Sequence, residues 1–340
     1  MAKSIVCLGE LLLRLGAPQR QMLLQSPILD VHVGGAEANV AVSLARFGHR
    51  VAMVSVVPDN PLAEAAVGEL RRHGVDVAAI ARTPGGRMGL YFIVTGAMQR
   101  PSEVIYDRAD SAFARARLES FDWGAIFSDA DAFHVSGVTP AVGANGAAIA
   151  LGAMKAARER GLFVSFDGNF RAKLWAQWGG DASGITRTMI AASDIVFADH
   201  RDIAIALGEA LPDGDPETAI RAAAAKAFAA FPQLDKLCTT IRTQHSVDHH
   251  SLSAIMLTRA GDVHVTPRYE LSAIVDRIGG GDAFAAGVLH GLRSGMGDEV
   301  SLRFGIGAAC LKHSVPGDFN LVSAADVAAW VSEGRLDVRR

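Results

Sequence analysis

Three consecutive glycines run into an aspartate in Asp276-Arg-Ile-Gly-Gly-Gly-Asp282, and residues 283–294 that follow have the spacing of a helix. Glycine lets backbone N–H groups close around an anion where a Cβ would obstruct them. The start of a helix adds positive potential at the same point. A carboxylate among anion-binding groups is electrostatically out of place unless it removes a proton from an attacking hydroxyl. An anion hole beside a base is what phosphoryl transfer to an alcohol requires. Taken alone, the same residues also read as a flexible turn ending in a helix-capping aspartate.

Other segments add polar groups of matching chemistry. Gly34-Gly-Ala-Glu-Ala-Asn39 is a diglycine entering a helical pattern at 38–47. Asn39 there can face a ligand while Val40, Leu44 and Phe47 face a core; Glu37 by itself reads as part of a plain capped helix start. Asp167-Gly-Asn-Phe-Arg-Ala-Lys173 follows an apolar strand pattern at 162–166, and ends of parallel strands are where α/β proteins hold ligands. In an extended segment Asp167, Asn169, Arg171 and Lys173 would project one way, a set suited to an anionic or hydroxylated ligand. His245, His249 and His250 fall in a segment without a helical pattern and with no second ligand cluster; a solvated polar loop is the reading.

These residues need a frame. Strand-like runs at 4–8, 50–57, 132–135, 162–166, 195–197 and 237–241 alternate with helical patterns at 38–47, 61–73, 147–160, 183–192 and 216–230. Helices at 283–294, 299–313 and 324–332 close the chain. The alternation predicts parallel strands with crossover helices. Residues 9–33 and 87–107 break it, with strand-like pieces at 11–15, 90–94 and 103–106 and no helix between. A small antiparallel sheet outside the main layer, acting as a lid, accommodates them. Asp213-Gly-Asp-Pro216 is a turn leading into a helix rather than a boundary, so residues 1–340 read as one α/β domain, with the lid formed by segments at about 10–33 and 87–108.

Composition narrows the function. Of 340 residues, 50% are hydrophobic and 20% charged, enough for one sizeable core. The net charge of −3 without a basic block argues against nucleic acid. Glu10 and Arg14 interrupt the apolar N-terminus, which reads as neither signal peptide nor membrane span. Cys7, Cys238 and Cys310 are far apart in apolar surroundings, as free buried thiols in a reducing cytoplasm would be.

The diglycine near 34, the Asp-x-Asn-x-Arg after a central strand and the Gly-Gly-Gly-Asp before a helix resemble, in that order, the ribokinase-type (PfkB) carbohydrate kinases. Within that family the resemblance is strongest to the 2-keto-3-deoxygluconate kinases. It rests on residues 34–39, Ile105-Tyr-Asp-Arg-Ala-Asp-Ser-Ala112, residues 167–175, the Asp276–Asp282 form and Leu311-Lys-His-Ser-Val-Pro-Gly-Asp-Phe-Asn320. The commoner family form has Thr before the glycines and Ala as the middle residue.

The resemblance implies a three-layer α/β/α sandwich with a mostly parallel central sheet and a β-sheet lid. It implies ATP and Mg2+ as cofactors and a sugar acid phosphorylated on its terminal hydroxyl. Asp282 would be the base, and the backbone of Gly279, Gly280 and Gly281 the anion hole. Gly34, Gly35 and Asn39 would line the sugar site; Tyr91, Tyr106 and Arg108 would close over it; Arg171 would lie near substrate and phosphates. Arginine forks and a tyrosine hydroxyl on an apolar ring suit a sugar carboxylate. Thr240 and Arg242 would flank the nucleotide, with residues 305–320, Asn320 included, around adenine and ribose. Asp199 and Asp202 stand where many members carry Asn and Glu, Asp202 reaching the metal through water or simply starting a helix. Asp276 and the loop after His313 match the region where many relatives bind a monovalent cation such as K+. A lid with an apolar outer face implies a homodimer or larger assembly. Alternatives are kinases of fructose, 2-keto-3-deoxygalactonate or 5-dehydro-2-deoxygluconate, or a sugar-acid-binding regulator without turnover.

Overall fold

The computed structural model describes residues 3–210 and 214–333. Its strands are β1 (Ser4–Leu8), β2 (Leu12–Gly16), β3 (Asp30–Gly34), β4 (Val51–Pro58), β5 (Ile80–Thr83), β6 (Gly89–Val94), β7 (Glu103–Asp107), β8 (Ala130–Ser136), β9 (Phe163–Asp167), β10 (Ile195–Phe197), β11 (Lys236–Gln244), β12 (His250–Thr258), β13 (Val263–Val265) and β14 (Tyr269–Leu271). Ten of them form one sheet, ordered β13-β12-β11-β10-β9-β8-β1-β4-β5 with β14 also paired to β12. Pairs from β11 across to β5 are parallel, and β12 turns back antiparallel on β11.

Alternation along the strands explains the layers. Ile5 and Cys7 of β1 pack into one apolar cluster with the helices Ala36–Arg46, Gly280–Arg293 and Asp298–Lys312. Val6 and Leu8 pack into another with Ala144–Glu159, Ala182–Ala191 and Pro216–Ala230. Successive side chains point to opposite faces, so β1 is buried on both and the molecule is helix, sheet, helix. The cysteines are free and buried, and burial pushes the Cys310 thiol up to about 12. Asp215 caps Pro216–Ala230 by accepting from the Thr218 N–H at 3.1 Å, while Asp213 lies outside the described residues.

Two expectations change. The small sheet, ordered β3-β2-β6-β7, is mixed: β2 pairs parallel with β6, the other pairs being antiparallel. Its two halves leave the same end of parallel main-sheet strands, β1 and β5, and so enter it in the same direction. The polar-loop reading also fails for His250, which opens the fully buried β12 opposite Gln244. His245 and His249 do lie at the β11–β12 turn, where their rings and the Glu270 carboxylate come within 4.8 Å of one another.

Candidate active site

The polar motifs meet where the parallel strands end. Asp167 closes β9, Ser136 closes β8, and Asp199 follows β10 to cap the helix His200–Leu207. Two cavities occupy this rim. The smaller, about 530 Å³, lies between main sheet and lid and is lined by Gly35, Asn39, Tyr91, Tyr106, Arg108 and Asp282 among others. The larger, about 810 Å³, is lined by Asp199, Asp202, Thr240 and Ile241 among others. Asp167, Asn169, Arg171, Arg242 and Gly281 line both, so the two spaces are continuous across the glycine loop.

Gly279 caps the helix Gly280–Arg293 in the left-handed region, with φ of 78°. A Cβ there would lie 2.0 Å from the Asp318 carbonyl oxygen, so both conformation and space demand glycine. At Gly280 a Cβ would come within 2.9 Å of the His313 ring, which accounts for glycine where the commoner family pattern has alanine. Gly281 faces open space, at the junction of the cavities.

Asp282, in the first turn of that helix, accepts from the Asn39 side-chain amide at 2.7 Å. Burial pushes its carboxyl up to about 6, against the opposing pull of the Asn39 hydrogen bond and the Arg171 charge. Asp167 is held well above the carboxylate range by burial and by the charges of Asp282 and Asp202. A pKa near 6 leaves Asp282 ionised at neutral pH yet a better proton acceptor than a free aspartate.

The diglycine divides its work. Gly35, with φ of 138°, lines the smaller cavity and would drive a Cβ to 2.3 Å from the Glu10 carbonyl oxygen. Gly34, expected to line the sugar site, is instead packed under Asp318, whose Oδ2 lies 2.3 Å from the position of its missing Cβ. Tyr91 is a lid-core residue packed with Leu12 and Ile93, and its hydroxyl donates to Asp318 Oδ2 at 2.7 Å. The extended reading of 167–173 also fails. Asn169 adopts a positive φ of 39°, and its amide donates to Ser136 Oγ at 2.9 Å. The helix Ala172–Trp178 begins there, leaving Lys173 exposed while Arg171 reaches both cavities.

Asp199 and Asp202 form a reciprocal capping box, which explains an Asp-x-x-Asp at this place. Asp202 nevertheless lines the larger cavity and is pushed up to about 6, first by burial and then by the Asp199 charge. Thr240 and Arg242 line that cavity, but no residue of 305–320 does. Asn320 in particular is 1% exposed and lines neither space, because its chain runs beneath the glycine loop rather than beside the opening.

Four side chains carry more than their sequence context signalled. Glu10, read only as a break in an apolar run, is 1% exposed and accepts from Arg108 Nε at 2.6 Å and from the Ser111 hydroxyl. Arg14, read the same way, bridges Asp276 Oδ2 at 2.6 Å and Asp318 Oδ1 at 3.1 Å. Glu37, fully buried and pushed up to about 7 by burial, accepts from the Ser136 N–H and the Thr139 hydroxyl. Lys312 is buried beneath the loop. A charged residue spaced within an apolar segment was the available signal for Glu10 and Arg14. The monovalent-cation expectation for Asp276 meets an obstacle: its Oδ2 accepts from Arg14 and from the Gly317 N–H at 3.0 Å, and its Oδ1 from the Ile278 N–H at 3.0 Å. Three of the carboxylate's roughly four acceptor positions are thus in use, which leaves Asp276 little to offer a cation.

A three-layer sandwich, a glycine loop opening a helix and a lid over a buried carboxyl define a sugar kinase fold of the ribokinase type. Residues 2–324 match the pfkB family carbohydrate kinase, and the chain belongs to that family. It is similar to the 2-dehydro-3-deoxygalactonokinase of Haloferax volcanii, 32% identical over 340 residues with 100% of both chains covered. It is 26% identical over 314 residues to the 2-dehydro-3-deoxygluconokinase of Bacillus subtilis, covering 89% of this chain and 87% of the relative. The crystal structure of 2-dehydro-3-deoxygluconokinase from Thermotoga maritima superposes with a TM-score of 0.91 at 37% identity, covering 97% of this chain and 99% of that one.

Proposed function

We propose that the protein phosphorylates 2-keto-3-deoxygluconate (the 2-dehydro-3-deoxy acid of its relatives' names) with ATP, giving 2-keto-3-deoxy-6-phosphogluconate. The observation that carries this reading is the continuity of two cavities at Gly281, with the raised carboxyl of Asp282 on the lid side only. The sugar acid binds in the smaller cavity with its terminal hydroxyl at Asp282, and ATP binds in the larger. Asp282 takes the hydroxyl proton as the γ-phosphoryl group passes to that oxygen, and the Asn39 amide holds the carboxylate in place. Backbone N–H groups at Gly279, Gly280 and Gly281, at the positive end of their helix, stabilise the charge on the moving group. Arg171 and Arg242, reaching both cavities, steady the phosphates. Arg108 lines only the smaller cavity, and with its Nε taken by Glu10 it presents its terminal nitrogens to the substrate carboxylate.

Magnesium fits the carboxyls of Asp167 and Asp202, whose mutual repulsion a divalent cation relieves; when bound it shields phosphate charge. Lid closure excludes water, which suppresses ATP hydrolysis. A second reading, the galacto epimer, is favoured by the full-length similarity to the Haloferax volcanii galactonokinase.

The test is ADP release with magnesium-ATP against 2-keto-3-deoxygluconate, its galacto epimer, 5-dehydro-2-deoxygluconate, fructose, ribose and gluconate. Turnover confined to the keto-deoxy acids supports the reading, and the ratio of kcat/KM between epimers decides between them. Turnover on fructose alone overturns the acid assignment. Sugar-acid binding without ADP release favours a regulator.

A further inference from the structure

Lys312 ends the helix Asp298–Lys312 with no exposed surface, an expensive place for a strongly hydrated ammonium. Its surroundings explain its retention. Its Cε lies 3.4 Å from where a Cβ on Gly279 would stand, so the side chain passes directly beneath the cap of the anion-hole helix. Its Nζ donates to the Val315 carbonyl oxygen at 2.9 Å. Burial above all, with Arg14, holds the ammonium below the ordinary lysine value, while Asp276, Asp318 and Asp282 favour its charge. Two cations, Arg14 and Lys312, therefore stand among two carboxylates, and the Asp276 oxygens are already taken by Arg14 and two backbone N–H groups. A potassium ion here would add a third positive charge to two negative ones and compete for occupied ligands.

We propose that the Lys312 ammonium is a built-in cation beneath the glycine loop, so that this protein works without a bound monovalent metal ion. Lys312 is a positioning residue. It lines neither substrate cavity; its Nζ holds the Val315 carbonyl, its Cε lies under Gly279, and its charge acts through space on Asp276 and Asp318. Its charge adds to the helix-terminus potential felt by the transferring group. The inference rests on the proposed role of Gly279, Gly280 and Gly281 in holding that group.

The experiment compares potassium chloride with tetramethylammonium chloride at equal ionic strength, reading the Tm of the protein and its ADP release with magnesium-ATP and sugar acid. Wild type should show the same Tm and the same kcat in both salts. Lys312→Ala should lose roughly tenfold or more in kcat with little change in sugar KM. Potassium or ammonium ion should restore part of that loss, and tetramethylammonium, too large for the vacated space, should restore none. Lys312→Met, of similar length, provides a filled, uncharged control that small cations should not rescue. A potassium-specific rise in wild-type Tm or kcat overturns the proposal, as does an Ala variant that keeps full turnover in both salts. Should both variants fail to fold, the wild-type comparison decides. If no sugar in the panel is turned over, the functional reading fails on its own, and the Tm comparison still tests the built-in cation.

Discussion

Asp282 combines two properties that pull in opposite directions: it must be ionised to accept a proton, and it sits where its ionised form is least solvated. Burial raises its carboxyl to about 6, and Asn39 and Arg171 keep it from rising further. As the essential base, it must lose its proton for turnover, so kcat/KM should fall as pH drops through about 6 and level off above it. A pH–rate profile of the unliganded enzyme's kcat/KM checks this; a limb near the ordinary aspartate value would remove the raised carboxyl from the mechanism. Asp282→Asn keeps the size and the Asn39 contact but abolishes the base. Its kcat should drop by about 10²–10⁴ with the circular dichroism spectrum unchanged, and near-normal turnover would sink the assignment. Asp282, Asn39, Arg108 and Arg171 were legible in the sequence because each stands in a motif with a recognisable local setting. Arg14 was not, since its partners Asp276 and Asp318 are brought to it only by the fold, nor was Lys312, whose complete burial depends on how the end of its helix packs under Gly279.

At the scale of elements, the lid is tied to the main sheet by buried ion pairs rather than by apolar contact alone. Glu10 leaves the end of β1 to meet Arg108 at the end of β7, and Arg14 of β2 meets Asp276 and Asp318 beside the glycine loop. Buried pairs of this kind add little net stability compared with apolar packing; what they supply is a fixed aim for a guanidinium. Glu10→Gln retains an acceptor for Arg108 Nε but loses the charge that holds it. The KM for the keto-deoxy acid should rise roughly tenfold, the worth of a charge-assisted hydrogen bond, with kcat less affected. Steady-state kinetics on the acid measures this, and an unchanged KM would mean Arg108 is not aimed by Glu10. The alternation of strands and helices was readable because period-two and helical patterns switch cleanly along the chain. The mixed pairing of the lid was not, because direction depends on where two distant segments leave the main sheet. The helix after Asn169 was hidden by a polar alternation that looked extended until one residue took a positive φ.

The whole molecule presents one face that its own chain does not cover. Val31 in β3 is 56% exposed and Ile105 in β7 is 45% exposed, and Leu24, Ile28 and Met98 from neighbouring loops are exposed as well. Tyr106 and Tyr91 on the same sheet line the cavity, so the lid alternates between a ligand-facing side and an apolar outer side. Among the described residues, its edge strands β3 and β7 each have one neighbour in the sheet. Exposed edges and apolar outer residues are features that proteins ordinarily cover. A second copy of the same lid offers both at once, because a two-fold axis pairs like with like. Such pairing would also stiffen the sheet that carries Arg108 and Arg14, linking assembly to the site. The expected outcome is a dimer by light scattering coupled to size-exclusion chromatography. Ile105→Glu, which changes only the outer side of β7, should shift the population toward monomer and raise sugar KM more than it lowers kcat. A wild type that stays monomeric across the concentration range, with the Ile105→Glu variant kinetically unaltered, would leave the lid's apolar side as a surface with no role in the site.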